Sequence, residues 1–243
     1  MYLRDLSIHA SENASLPLGH TLREFNFSTH AVQETFLTFM PRKYTLDGMG
    51  KTNLTLGPSK GKPQYSQLIN VNIYFVEDFD FHAYFAGSLA ERNEMLLSAL
   101  ETSLLDIASR SHADPAPIRT AISESRHCGC ERRYTIPRLS KCTRSRALKL
   151  NVFRHVFTGG ESWGIDITNR KGQVLQIEWI AKKTDFFRAA HDFRRSSIGG
   201  NEFVIVDFLG RETYKLNLVE LEAKLICNAK ASSVMVRQKR RIK

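Results

Sequence analysis

Long apolar runs are missing from this chain. Nothing in it approaches the ~18 consecutive apolar residues of a membrane-spanning helix, so no membrane partner is expected. The opening Met1-Tyr2-Leu3-Arg4-Asp5 carries charge at once. No apolar stretch of ~7–15 residues follows it, and a signal peptide is not expected either. Cysteine is scarce: Cys128, Cys130, Cys142 and Cys227 are the only four in 243 residues, too few to staple a fold of this size. Free thiols in a reducing compartment follow, which makes the cytoplasm the expected address. Glycine-rich phosphate loops are also absent. Gly57-Pro58-Ser59-Lys60-Gly61-Lys62 and the stretch from Gly48 to Lys51 bring glycine near lysine, but neither has the G-x-x-x-x-G-K-[ST] spacing that cradles a nucleotide.

What the chain does have is positive charge, unevenly spread. Its net charge is +10. Residues 1–110 hold nine Lys/Arg against twelve Asp/Glu, and 111–118 add only Asp114. Residues 119–154 hold ten against Glu124 and Glu131, a local excess of +8. Residues 155–236 are nearly balanced, and the last seven add five more cations. Two short segments therefore carry the excess.

Periodicity sets the architecture. Ser28 is placed to cap a helix burying Val32, Phe36 and Phe39 or Met40, which ends before Pro41. Tyr44-Thr45-Leu46 and Asn53-Leu54-Thr55-Leu56 flank a glycine turn and read as strands. Residues 57–63 form a loop by composition. Alternation predicts strands over 68–75 (Ile69, Val71, Ile73, Phe75) and 79–85 (Phe79, Phe81, Ala83, Phe85). Ser88-Leu89-Ala90-Glu91 has the spacing of a capping box, and a helical stripe from Leu89 to Ala108 follows it. Asp114-Pro115 opens a second helix with Ile118, Ala121 and Ile122 on its apolar face. Further on, the pattern predicts a strand over 149–157 and a hairpin of 163–167 with 174–180. A helix over 185–196 and a hairpin of 202–208 with 213–218 complete it. The expected fold is α+β, with antiparallel sheets built from hairpins and packed helices, in a length that suits either one large domain or two smaller ones. Residues 1–126 form the N-terminal sheet and helices, and 127–148 a basic linker or mobile loop. Residues 149–222 form a hairpin-helix-hairpin, and 223–243 a basic tail.

Several constellations invite chemistry. His127-Cys128-Gly129-Cys130 with Cys142 offers soft ligands, but a structural zinc site brings them in pairs two to four residues apart, and the second pair is missing. Cys128 beside His127 lacks an orienting third group, and adjacent side chains do not face each other. Asp166 and Glu178 resemble the magnesium carboxylates of a restriction-endonuclease-like site. The lysine such a site wants two residues after the second carboxylate is replaced by Ile180. Asn70, Asn72, Asp80, His82 and Tyr84 read as the wet side of an antiparallel sheet. No metal, cofactor or catalytic group is expected.

The basic segment is different in kind. Arg126, Arg132, Arg133, Arg138, Lys141, Arg144 and Arg146 are the candidate binding residues, with Arg119, Lys149 and Arg154 around them. The planar fork of arginine suits phosphate and carboxylate recognition. Nucleic acid is one expected partner, bound by counterion release, and an acidic protein surface is the other.

From Phe79 to Arg126 the order of features resembles small bacterial immunity proteins of polymorphic toxin systems. The residues concerned are Phe79-Asp80-Phe81-His82-Ala83-Tyr84-Phe85, then Glu91-Arg92-Asn93-Glu94-Met95-Leu96-Leu97 and Ala99-Leu100-Glu101, then a helix from Asp114. The hairpins at 163–180 and 202–218 fit the same picture. The resemblance implies a stand-alone, non-enzymatic binding module that neutralises a protein toxin, with no catalytic residues to carry over. Immunity proteins that face nuclease toxins are commonly acidic, so a toxin bound by this basic chain is expected to present an acidic surface or to meet the acidic first 110 residues.

Overall fold

The computed structural model describes residues 1–184 and 192–225. The fold is α+β with packed helices, and the chain divides into two compact units. The sheets of unit 2 are built from antiparallel pairs, whereas the sheet of unit 1 is mixed, with parallel pairing at its centre. Among the described residues no helix is long and apolar enough to cross a membrane.

Unit 1 comprises Met1–Arg132 and Val156–Gly160. Strand β1 (Asp5–Ala10) buries Leu6, Ile8 and Ala10 in alternation. Helices α1 (Leu22–Ser28) and α2 (His30–Phe39) carry the chain to β2 (Lys51–Leu56), which pairs with β1 in parallel. An edge hairpin of β3 (Tyr65–Leu68) and β4 (Val71–Val76) follows, and β4 lies parallel beside β2. The sheet order is β1-β2-β4-β3. Three helices complete the unit: α3 (Phe81–Ala86), α4 (Leu89–Ser111) and α5 (Ala116–His127). Thr21 caps α1, and the capping box of Ser88 and Glu91 starts α4. Phe25 of α1 is fully buried and meets Phe79, Phe81, Tyr84 and Phe85 edge-on, at centroid distances of 5.0–6.2 Å. Asn93 of α4 is buried. Its Nδ2 donates to the Gly129 carbonyl (3.1 Å), and its Oδ1 accepts from Thr158 Oγ1 (2.8 Å).

Four expectations need correction here. Ser28 does not cap α2: it ends α1, its Oγ donating to the Phe25 carbonyl (2.6 Å), and Thr29 stands at the start of α2. The stretch 79–85 is not a strand: Asp80 Oδ1 accepts the Ala83 amide (2.9 Å) and caps α3. The buried residues Phe81, Tyr84 and Phe85 then fall at helical i, i+3, i+4 positions. Strand 68–75 begins later, because Ile69 and Asn70 both take positive φ and form the β3–β4 turn, with Ile69 exposed. The segment from Tyr44 to Leu46 does not form a hairpin with 53–56, since both flanks of β2 are taken by parallel strands.

Unit 2 comprises Arg133–His155 and Glu161–Lys243. Its larger sheet runs β5 (Arg132–Thr135), β7 (Leu148–Phe157), β8 (Gly160–Asn169), β9 (Val174–Thr184), with β6 (Lys141–Cys142) paired to β7. The stretch 127–148 expected as a linker thus holds two strands, which its scattered apolar residues did not reveal. A smaller antiparallel sheet follows, of β10 (Arg195–Gly199), β11 (Glu202–Val206) and β12 (Glu212–Asn217). The helix expected over 185–196 falls mostly on 185–191, outside the described residues, and β10 has begun by Arg195. Residues 218–225 are helical, opened by Asn217 Oδ1 accepting the Val219 and Glu220 amides. The basic tail after 225 lies outside the described residues. Leu150, Val152, Ile165, Ile167, Phe203 and Ile205 centre the core of this unit.

Candidate functional site: a basic groove in unit 2

The β7–β8 hairpin puts the β6–β7 turn beside the β8–β9 turn, since Asn151 of β7 donates to Thr168 of β8 (3.2 Å) near its far end. Both turns are built from local side-chain bonds. Thr143 Oγ1 accepts the Leu148 amide (3.2 Å), and Arg146 takes a left-handed φ of 53° to close the first turn. Asn169 Oδ1 accepts the Lys171 and Gln173 amides (3.0 Å each) to close the second. Arg170 then ties the two together, its Nε donating to the Arg146 carbonyl (3.1 Å) and its Nη2 to the Ser145 carbonyl (2.8 Å).

Between the turns lies an open groove of about 640 Å³ lined by Arg144, Arg146, Lys149 and Arg170 together with Ser145, Asn151, Thr168 and Asn169. No carboxylate lines it. Arg170 spends its hydrogen bonds on carbonyls, which leaves its charge uncompensated by any acid among the described residues. Such a cluster attracts anions, and its serine, asparagine and threonine side chains supply the neutral hydrogen bonds that a phosphate or carboxylate oxygen takes.

The candidate arginines do not act as one patch. Arg144 and Arg146 reach the groove. Arg126 belongs to unit 1, where it bridges Glu94 (2.9 Å) and Glu101 (2.9 Å) and holds the Glu94 carboxyl below its usual range. Arg132, also in unit 1, lies with Cζ 4.5 Å from the Phe39 ring centroid. Arg133 pairs with Asp166 (2.5 Å) and stacks 3.3 Å over Phe153. Arg138 donates to the Phe193 carbonyl (3.5 Å), and Lys141 to the Arg138 carbonyl (3.4 Å). Lys149 and Arg170 complete the groove. Arg170 sits in what reads as an ordinary hairpin turn, and only strand pairing brings it to Arg146.

The chemical alternatives resolve differently. Asp166 sits opposite Ile177 and Glu178 opposite Ile165, so the two carboxylates point to opposite faces of the sheet and cannot share an ion. Cys130 is buried in the core of unit 1 with its thiol pushed up to about 12 by burial, whereas Cys142 is exposed in unit 2. Among the described residues no three His, Cys, Asp or Glu side chains converge as metal ligands. Asn72 is not on a wet face but fully buried, its side-chain amide 3.2 Å from the Tyr65 hydroxyl, whose single proton is donated to Asp47 (2.6 Å).

No family model, curated protein or solved structure matches the chain. The geometry of the groove is therefore the main ground for a functional reading.

Proposed function

We propose that this chain is a nucleic-acid-binding protein that works by binding rather than catalysis, and that the groove of unit 2 holds the phosphate backbone. The observation that supports it is the convergence of Arg144, Arg146, Lys149 and Arg170 on a surface with no carboxylate. Charge points the same way: unit 2 carries 23 Lys/Arg against 10 Asp/Glu, and unit 1 carries 12 against 15. Each phosphate contact releases counterions, so binding should weaken steeply with salt.

Fluorescence anisotropy with mixed-sequence DNA and RNA, at low and near-physiological salt, tests this. Arg144→Ala/Arg146→Ala should weaken binding to every sequence alike and flatten the log–log salt slope by roughly 1.5–2. Unchanged affinity and slope would remove the groove from the interface. In that event the immunity-type reading, a stoichiometric partner protein with an acidic face, takes precedence. Co-purification of one such partner is its signature.

A further inference from the structure

The chain has two tryptophans, and their situations are opposite. Trp163 is buried against the core of unit 2, and its Nε1 donates to the fully buried Glu161 (2.9 Å). Trp179 stands on β9 with 40% of its surface exposed, next to Leu175 (41%) and Ile177 (43%). An indole left open on a sheet face needs an explanation, because burying it is worth far more than displaying it.

The face it occupies can be traced across the strands. On β7, Leu148, Leu150 and Val152 enter the core, so alternation turns Lys149, Asn151 and Phe153 to the other side. On β8 the same rule sends Trp163, Ile165 and Ile167 inward and Gly164, Asp166 and Thr168 outward. Register then sets Trp179 opposite Gly164 and Ile177 opposite Asp166. The missing side chain at Gly164 is filled by Phe153, since a Cβ there would stand 2.5 Å from its Cζ. The Trp179 ring meets Phe153 edge-on at 5.6 Å and 80°. Arg133 lies 3.3 Å over the other part of this row, held by Asp166. Guanidinium, phenyl and indole therefore run across the sheet, with Arg133 and Trp179 as its open surfaces. Lys149, Asn151 and Thr168, which line the basic groove, belong to the same face. Phe153 is four residues from Lys149, about 13 Å along the strand.

We infer that this face is a stacking platform for the bases of single-stranded nucleic acid, with Trp179 as the principal stacking ring and the adjoining groove holding the phosphates. The inference rests on the nucleic-acid reading above and narrows it to unpaired strands. A duplex hides its base faces within its own stack, whereas a single strand presents them to aromatic rings and guanidinium planes. Charge selects this occupant over a plain apolar partner, because the platform is continuous with a groove that attracts a polyanion. Lys182, exposed with Nζ 5.6 Å from the indole centroid, is a flexible chain that a base displaces and a phosphate then engages.

The test is a titration of the full chain with oligo(dT), with a duplex of equal length and with polyglutamate, following tryptophan emission and anisotropy. Oligo(dT) should quench the exposed indole, and the other two should not. Trp179→Ala should weaken oligo(dT) binding about tenfold or more while leaving duplex binding and the salt slope unchanged. Trp179→Phe should keep most of the affinity, which excludes a folding defect as the cause. If both Trp179 variants bind oligo(dT) as tightly as the parent by anisotropy, while Arg144→Ala/Arg146→Ala binds weakly, the platform is overturned and the groove reading stands. Equal quenching by polyglutamate also overturns it, since that polymer has no bases. If neither nucleic acid binds, both readings fall together.

Discussion

The two units carry net charge of opposite sign. Both units pair some cations with acids: Arg126 with Glu94 and Glu101, Arg110 with Asp106 and Lys51 with Asp5 in unit 1, and Arg133 with Asp166, Arg211 with Asp207 and Lys215 with Glu202 in unit 2. The net charge of unit 1 is −3. In unit 2 the net charge is +13, and the cations of the groove meet carbonyls and solvent instead. Exposed, matched pairs add little to stability and present no field at a distance. Unmatched cations cost some self-repulsion and attract whatever polyanion is near. The difference teaches that the charge excess, not the arginine count, marks where an anion is attracted. Arg126 and Arg146 look alike in the sequence, and only one of them is available to a ligand.

The comparison can be broken by perturbing one unit and watching both. Both tryptophans lie in unit 2 and helices α1 to α5 in unit 1, so emission and far-ultraviolet dichroism report on different halves. The largest effect is expected from Leu100→Ala at the fully buried centre of α4, costing about 2–5 kcal/mol. The dichroism midpoint in urea should fall while the emission midpoint holds. Equal shifts in both signals would mean that the units unfold as one. Next comes Gly164→Val, which drives a Cβ to 2.5 Å from Phe153 Cζ and 2.9 Å from the Glu178 carbonyl. Overpacking of about 1–3 kcal/mol should appear in the emission midpoint first.

The smallest expected effect is on acidification, and it belongs to unit 1. Burial, with the nearby Lys51, pulls the His9 pKa below its ordinary 6.5. Below pH 6.5 the unfolded chain therefore takes up a proton that the folded one resists, and stability declines as the pH drops. Glu94 is held below 4.5 chiefly by its hydrogen bond to Arg126, so its stabilisation is present above pH 4.5 and is lost below it. A dichroism midpoint that stays constant from pH 7 to pH 4 would contradict both. His9→Asn should abolish the first decline and leave the second.

Legibility followed locality. The box of Ser88 and Glu91, the helix opened near Pro115 and the turns at Asn169 to Gly172 and at Gly210 announce themselves within a few residues, and each marks an element that is there. β1 escaped because its partner is Lys51–Leu56, across two helices, and parallel pairing leaves no turn signal. Phe79, Phe81, Ala83 and Phe85 misled because they fall at every second position, and the buried helical set differs from that alternation in including Tyr84. Three of the four cations of the groove, Arg144, Arg146 and Lys149, were visible in the basic segment. The fourth, Arg170, becomes part of it only when two turns distant in sequence meet. Trp179 gave no signal at all, since an apolar residue on a strand reads as core until its face is known.

Thr158 has a practical corollary for anyone dividing this protein. The five residues Val156–Gly160 join the two long strands of unit 2, yet they count with unit 1, where Thr158 completes the bonding of buried Asn93. A gene truncated after codon 132 would encode a first half lacking that hydroxyl and leave Asn93 Oδ1 unsatisfied in an apolar setting. Each unit takes its residues from two separate stretches of the reading frame. A faithful excision of either unit requires a deletion and a splice rather than a stop codon.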